Sequence, residues 1–484
     1  MTLNHLFRLA LLAGLATAGA HGAALTGPTS SQSPYLVPTA TNITTISLLT
    51  VGDFVNLKPD GTNAYPMVGI PDGLGAFDNE DGTFTVLMNH ELTPNVGIPR
   101  AHGFKGAFVS RWIIDKTTLA VLHGEDLMQQ AFVWTTNNTY ELTTKPFSRF
   151  CSGDLPPLSA FYENRKYGYR GRIYMNGEET GAEGRAFAHL LDGRSFELPA
   201  LGKFSWENSV ANPKKGRKTV VIGTDDGTGG QVYIYVGDKT GSTNPITAAG
   251  LDNGVLYGIK VKNVTAEDPT NGIKSGTSFT AASLGYVGGM TGAQLETNSV
   301  ALGITSFQRP EDGCWDPEDP RDFYFVTTAS FTGNSRLWRL RFVNPAKPSA
   351  GGKIYMLLDG SEGPKMMDNI TVSKGRVLIQ EDVGNQAHIG KVWSYNIKKD
   401  TIELIAEHDP ARFTPMVPGF LTQDEESSGI IPLDKILGRG WYLADVQAHY
   451  PIPGELVEGG QLLLIHVGKA EKPEGDEDEE EDEE

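Results

Sequence analysis

Cys151, Glu178 and Glu179 stand at the two ends of one connection, from "RFCSGDLPP" to "GRIYMNGEE" (residues 149 to 179), and so set a soft thiol beside hard carboxylates. A thiolate suits iron or zinc and carboxylates suit calcium or iron(III), so one thiol among several carboxylates could hold a mixed cluster. Oxygen donors recur elsewhere at the ends of apolar runs. "PDGLGAFDNEDGTFTVLMNHE" (71 to 91) offers Asp72, Asp78, Asn79, Glu80 and Asp81 and closes on Asn89, His90 and Glu91. Calcium takes about six to eight such oxygens. Asp72 and Asp81 each precede glycine, which is equally the chemistry of a β-turn.

Further along, "SWENSVANP" carries Glu207 and Asn208 ahead of a strand, and "GTDDGTGG" places Asp225 and Asp226 after it. A strand and not a helix follows that glycine loop, so it does not read as a phosphate cradle. In "RPE", Arg309 and Glu311 flank a proline that would stiffen them. The guanidinium suits bidentate capture of phosphate oxygens, although a structural Arg–Glu pair accounts for the same residues. Asp382, Glu425, Glu426, Asp445 and His449 extend the acidic set. No local Cys/His signature accompanies Cys151, which argues against a cysteine hydrolase.

These groups need strands to position them. Fifty-seven glycines and 28 prolines spread over 484 residues favour short strands joined by turns. Six apolar units, at 81 to 92, 171 to 180, 216 to 237, 321 to 342, 375 to 397 and 439 to 467, predict an all-β fold, a six-bladed β-propeller with loop insertions. A pair of β-sandwiches would fit the same alternation. The carboxylates favour the propeller: Glu91, Glu178 with Glu179, Asp225 with Asp226, Glu381 with Asp382, and Asp445 end the strands of five units. If those strands are innermost, their ends converge at one mouth, where crowded carboxylates demand cations.

Residues 1 to 24 read as a secretory signal, with Arg8, the apolar run "LALLAGLATAGA" and small residues around "AHGAA". The expected order is then a polar lead (25 to 45), a single propeller domain (46 to 470) and an acidic tail (471 to 484). Ten of the net −18 charges lie in residues 474 to 484, leaving −18 + 10 = −8 on the rest. Nothing is basic enough to hold nucleic acid. The mature chain is expected to be a monomer, secreted or periplasmic, with no stable membrane insertion. Cys151 and Cys314, alone in an exported protein, read first as one disulfide.

From about residue 65 to 467 the chain resembles the alkaline phosphatase PhoX family, on "NHE" (89 to 91), the Cys151 segment with "GEE" (177 to 179), "WEN" (206 to 208), "GTDDGTGGQVYIYVG" (223 to 237), "RPE" (309 to 311), "DN…GRVLIQED" (368 to 382), "DEESSGI" and "DVQAHY". It departs at Gly177, where the family pattern has a cysteine. The resemblance implies calcium-dependent exported phosphatases built as propellers, with iron(III) and calcium ions sharing an oxo bridge. It implies Cys151 as an iron ligand, Glu207 and Glu311 as residues that bridge metals or bind iron, and Glu178, Glu179 and Asp382 as candidate calcium ligands. Arg309 would steady phosphoryl oxygens, and Cys314 would be a spare thiol. With Glu91 and Asp225 added from the strand ends, the expected function is hydrolysis of a small-molecule phosphate ester by Arg309, Glu207 and Glu311. A calcium-dependent propeller lactonase or phosphodiesterase would use the same oxygen cage without the thiol, and a non-catalytic calcium-binding matrix protein would have the acidic tail as its working part.

Overall fold

Side chains of a strand point alternately to opposite faces. In Thr83–His90 this sends Phe84, Val86 and Met88 into one hydrophobic wedge and Leu87 into the next, so both faces are buried. The same happens all round the molecule. The buried apolar side chains fall into six clusters, each filled from two neighbouring sheets.

The computed structural model describes residues 22–468 apart from 136, 138 and 144. The expected signal up to residue 21 and the acidic tail lie outside the described residues. The strands form six blades, each antiparallel over its first four strands from the centre outwards; in blade 2 the fourth, Arg194–Glu197, then pairs in parallel with Gln130–Trp134. Their innermost strands are Pro71–Asp78, Phe150–Asp154, Trp206–Ala211, Pro310–Trp315, Met367–Ser373 and Glu425–Pro432. Each contacts the next, and the sixth returns to the first, so the ring is closed. The six-bladed propeller read from the sequence is therefore the fold. Blades 3 and 4 are further joined edge to edge, through Thr277–Gly285 and Gly352–Leu358.

Two expectations change. The strands that end in carboxylates are the second strands of their blades, not the innermost ones, and return to the mouth from which the inner strands start; Asp445 ends no strand but lies in the middle of Trp441–Ile452, paired with Gly429 and Leu462. The polar lead is also built into the propeller. Leu36–Pro38 edges blade 5, while Ile43–Thr50 pairs with the C-terminal strand Val457–Val467 and carries Ala23–Thr26 on its other side. The N-terminal segment thereby completes the last blade and latches the ring.

Candidate metal centre

The second residue of every inner strand is a potential ligand: Asp72, Cys151, Glu207, Glu311, Asp368 and Glu426. Each strand has a register irregularity within the next two or three residues; it takes Cys151, Glu207, Glu311 and Asp368 out of the ladder, whereas Asp72 and Glu426 still pair, with Asn89 and Gln447, just before it. A second tier comes from the returning strands: Glu91, Glu179, Asp226, Thr328, Asp382 and His449. One backbone bond repeats in all six blades. The amide of the second-tier residue donates to the carbonyl two positions before the inner ligand, as Glu91 to Ile70, Glu179 to Arg149, Asp226 to Ser205, Thr328 to Arg309, Asp382 to Met366 and His449 to Asp424, at 2.9–3.1 Å. The two tiers are thus fixed by the fold itself.

Ligand atoms from three trios lie within 4.8 Å of one another: Asp72, Glu91 and Cys151; Cys151, Glu179 and Glu207; Glu207, Glu311 and Asp368. Cys151 belongs to two of these and Glu207 to two, so the trios form a continuous arc. Supporting bonds hold their orientation. Gln447 Nε2 donates to Asp72 Oδ2 and Glu91 Oε2, both at 2.9 Å. Ser152 Oγ donates to Glu207 Oε1 at 2.6 Å and accepts from Asn369 Nδ2 at 2.7 Å. Below them, Asn176 donates to Asn89, and His189 meets Asn176 through Nε2.

Burial is the first cause of every large shift in the arc. It pushes Asp72, Glu179, Glu311 and Asp368 well above the carboxylate range, with neighbouring carboxylates adding to it. Glu207 is pushed up to about 8 and the Cys151 thiol also rises. Without cations these groups cannot all ionise together. Two arginines offset part of the charge. Arg149 pairs with Glu91 at 2.7 Å and with Glu179; Arg309 pairs with Asp226 and Glu311, each at 2.9 Å.

Of the residues expected from sequence, the arc gathers Cys151, Glu91, Glu179, Glu207 and Glu311, with Arg309 at its edge. Glu178 stands apart as a correction: it forms the ladder pair with Phe150, is clasped by Arg185 at 2.6 and 2.8 Å, and accepts from the Ser148 amide. Asp225 likewise accepts the Ser205 amide at 3.1 Å, leaving its neighbour Asp226 to face Arg309. Asp382 lies on the rim between blades 5 and 6, bridged to Glu426 and outside the three trios, with burial raising it to about 7. Cys314 sits on the inner strand of blade 4, and both cysteines are free. Asp72 is not a turn residue but a fully buried member of the arc. Sequence reasoning passes over Asp368 as a ligand and Arg149 as a cation. The available signal was the motif itself: an apolar or bulky residue, a ligand, then small or polar residues, as in "PDGL", "FCSG", "WENS", "PEDG" and "MDNI".

Residues 192–412 match the family model described as Alkaline phosphatase PhoX. No curated protein sequence matches the chain. Among solved structures it is similar to Pseudomonas fluorescens PhoX in complex with vanadate, a transition state analogue, with 12% identity, a TM-score of 0.65, and 92% of this chain and 97% of that chain covered. It is also similar to an oligogalacturonate lyase in complex with manganese (11% identity, TM-score 0.32, 83% and 98% covered). The β-propeller domain of the Trilobed protease from Pyrococcus furiosus is a comparably distant match (7%, TM-score 0.31, 83% and 97% covered). The resemblance carried by the short motifs is borne out by a family match and by a fold match.

Proposed function

We propose that this chain, PhoX-like in family match and in fold, is an exported alkaline phosphomonoesterase that holds iron(III) and calcium ions at the mouth of its propeller. The observation that carries this reading is the arc of three trios sharing Cys151 and Glu207 beside two arginines. Its donor set fits the ions: one thiol for iron, surrounded by carboxylates whose burial and crowding leave a deficit of positive charge. Asp72, Glu91, Cys151, Glu179, Glu207, Glu311 and Asp368 would hold them. When bound, such ions stabilise charge on phosphoryl oxygens and bring the pKa of water towards neutrality.

The chain's own contribution is positioning and charge. Ser152 and Asn369 fix Glu207, and Gln447 fixes Asp72 and Glu91, so the ligands are set before any ion arrives. Arg309 is one-third exposed and spends Nε and Nη2 on Asp226 and Glu311, which leaves Nη1 to donate to a phosphoryl oxygen of a small phosphate ester. Phosphoryl transfer asks chiefly for such positioning and electrostatic stabilisation. The test is hydrolysis of an aryl phosphate by protein loaded with iron and calcium, with elemental analysis alongside. Turnover with both metals bound is expected; no hydrolysis by the loaded protein overturns the reading.

A further inference from the structure

The position two residues before each inner ligand is occupied round the ring by Ile70, Arg149, Ser205, Arg309, Met366 and Asp424. In every blade its carbonyl receives the same second-tier amide, so these six residues are structurally equivalent. Two of them are arginines, in blades 2 and 4, on either side of the blade that supplies Glu207.

Both have left-handed backbones, with φ of 44° at Arg149 and 60° at Arg309. Ile70 and Met366 share this geometry (φ 51° and 43°), so it belongs to the turn and not to the side chain. Such a conformation is unfavourable for a residue with a β-carbon and persists where the surrounding structure imposes it. Arginine at two of these sites therefore presents a guanidinium at the mouth on a constrained backbone.

The two guanidiniums are used alike. Arg309 bridges Asp226 of blade 3 and Glu311 of blade 4; Arg149 bridges Glu91 of blade 1 and Glu179 of blade 2. Arg149 makes both contacts through Nη2, and among the described residues nothing accepts from its Nε or Nη1. Its side chain is 44% exposed. Neighbouring Glu91 carboxylate charge keeps it protonated far above any working pH.

We infer that Arg149 is a second phosphoryl-positioning residue, its free edge holding an oxygen of the same group that Arg309 holds from the opposite side. This deepens the phosphatase reading and rests on it. Two guanidiniums flanking the arc would fix the orientation of a tetrahedral oxyanion, which one arginine leaves free to rotate.

The experiment compares wild type with Arg149→Lys and Arg149→Ala. Lysine preserves the charge opposite Glu91 and Glu179 but loses the planar fork. Metal content, KM for an aryl phosphate and the dissociation constant of inorganic phosphate are measured for each. The inference expects unchanged metal content in Arg149→Lys with both constants raised about tenfold or more, a loss of about 1.4 kcal/mol, and a larger loss in Arg149→Ala. Constants within twofold of wild type in Arg149→Lys overturn it, with the phosphatase reading intact. Loss of metal in Arg149→Lys also overturns it, since Arg149 would then serve only to clamp Glu91 and Glu179. If wild type binds inorganic phosphate in an Arg149-dependent way but hydrolyses no ester, the anion site stands and the phosphatase reading falls.

Discussion

Gly177 lies flat against Trp206: a β-carbon on Gly177 would overlap the Cβ and Cγ of the tryptophan. Trp206 is itself buried, forms the first position of the inner strand of blade 3, and stacks on Phe204. Glycine in one blade thus makes room for an indole from the next. Replacing Gly177 by cysteine should overpack this contact and cost about 1–3 kcal/mol or more. Urea denaturation of G177C against wild type measures it, and an equal midpoint would show that the wedge can relax.

The two thiols should separate cleanly. Cys151 is in two of the three trios, whereas Cys314 accompanies no trio and its Sγ faces the Trp315 carbonyl at 3.4 Å. Cys151→Ser should lose bound iron and reduce aryl phosphatase activity by at least about 100-fold, because a hard hydroxyl replaces the soft ligand. Cys314→Ser should keep iron and activity within about twofold. Elemental analysis with initial rates checks both.

Ser152 links Asn369 in blade 5 to Glu207 in blade 3 through one hydroxyl. Ser152→Ala leaves the carboxylate in place but free to turn. Metal affinity should fall by about 10–100-fold, the usual effect of removing a group that orients a ligand. Chelator titration gives the number; an affinity equal to wild type would mean the neighbouring ligands orient Glu207 unaided.

Arg336 and Glu267 form an ion pair at 2.7 Å with both side chains all but inaccessible. Glu267 also accepts the Gln308 amide and the Thr327 hydroxyl, so the pair ties the connection between Val255–Val261 and Thr277–Gly285 to the second and third strands of blade 4. Removing one partner strands the other charge. Glu267→Gln should destabilise the fold by about 3–5 kcal/mol without touching the metal centre. Thermal unfolding read beside metal content distinguishes this from a site effect.

Acid sensitivity should follow from histidines buried in the blades. Burial holds His189 and His408 down at about 3, each with a serine hydroxyl on the ring. Their folded values lie below the unfolded value of about 6.5, so the native state favours the neutral ring. The corresponding stability is complete above about pH 6.5 and is lost as pH falls towards 3, by about 1.4 kcal/mol per unit for each histidine. His408→Gln should flatten that slope, as measured by urea midpoints between pH 7 and pH 4 (both about those values).

The sequence by itself determined the class of fold, the number of blades and most of the acidic donors. Its long second and third strands, such as "TFTVLM" and "QLLLIHV", are apolar on both faces, and that pattern follows directly from wedges packed on each side. Only the tertiary structure identified the inner strands. They are interrupted by glycine, serine and ligands, so nothing in "PDGL" or "FCSGD" reads locally as a strand. Ring closure decided which carboxylates meet, because Glu178 and Glu179 differ by one position yet face Arg185 and Cys151 respectively. It also made Asp368 a neighbour of Glu207 and Arg149 the counterpart of Arg309. Those relations depend on antiparallel strands from different blades returning to a common mouth, a long-range geometry that no local stretch of sequence encodes.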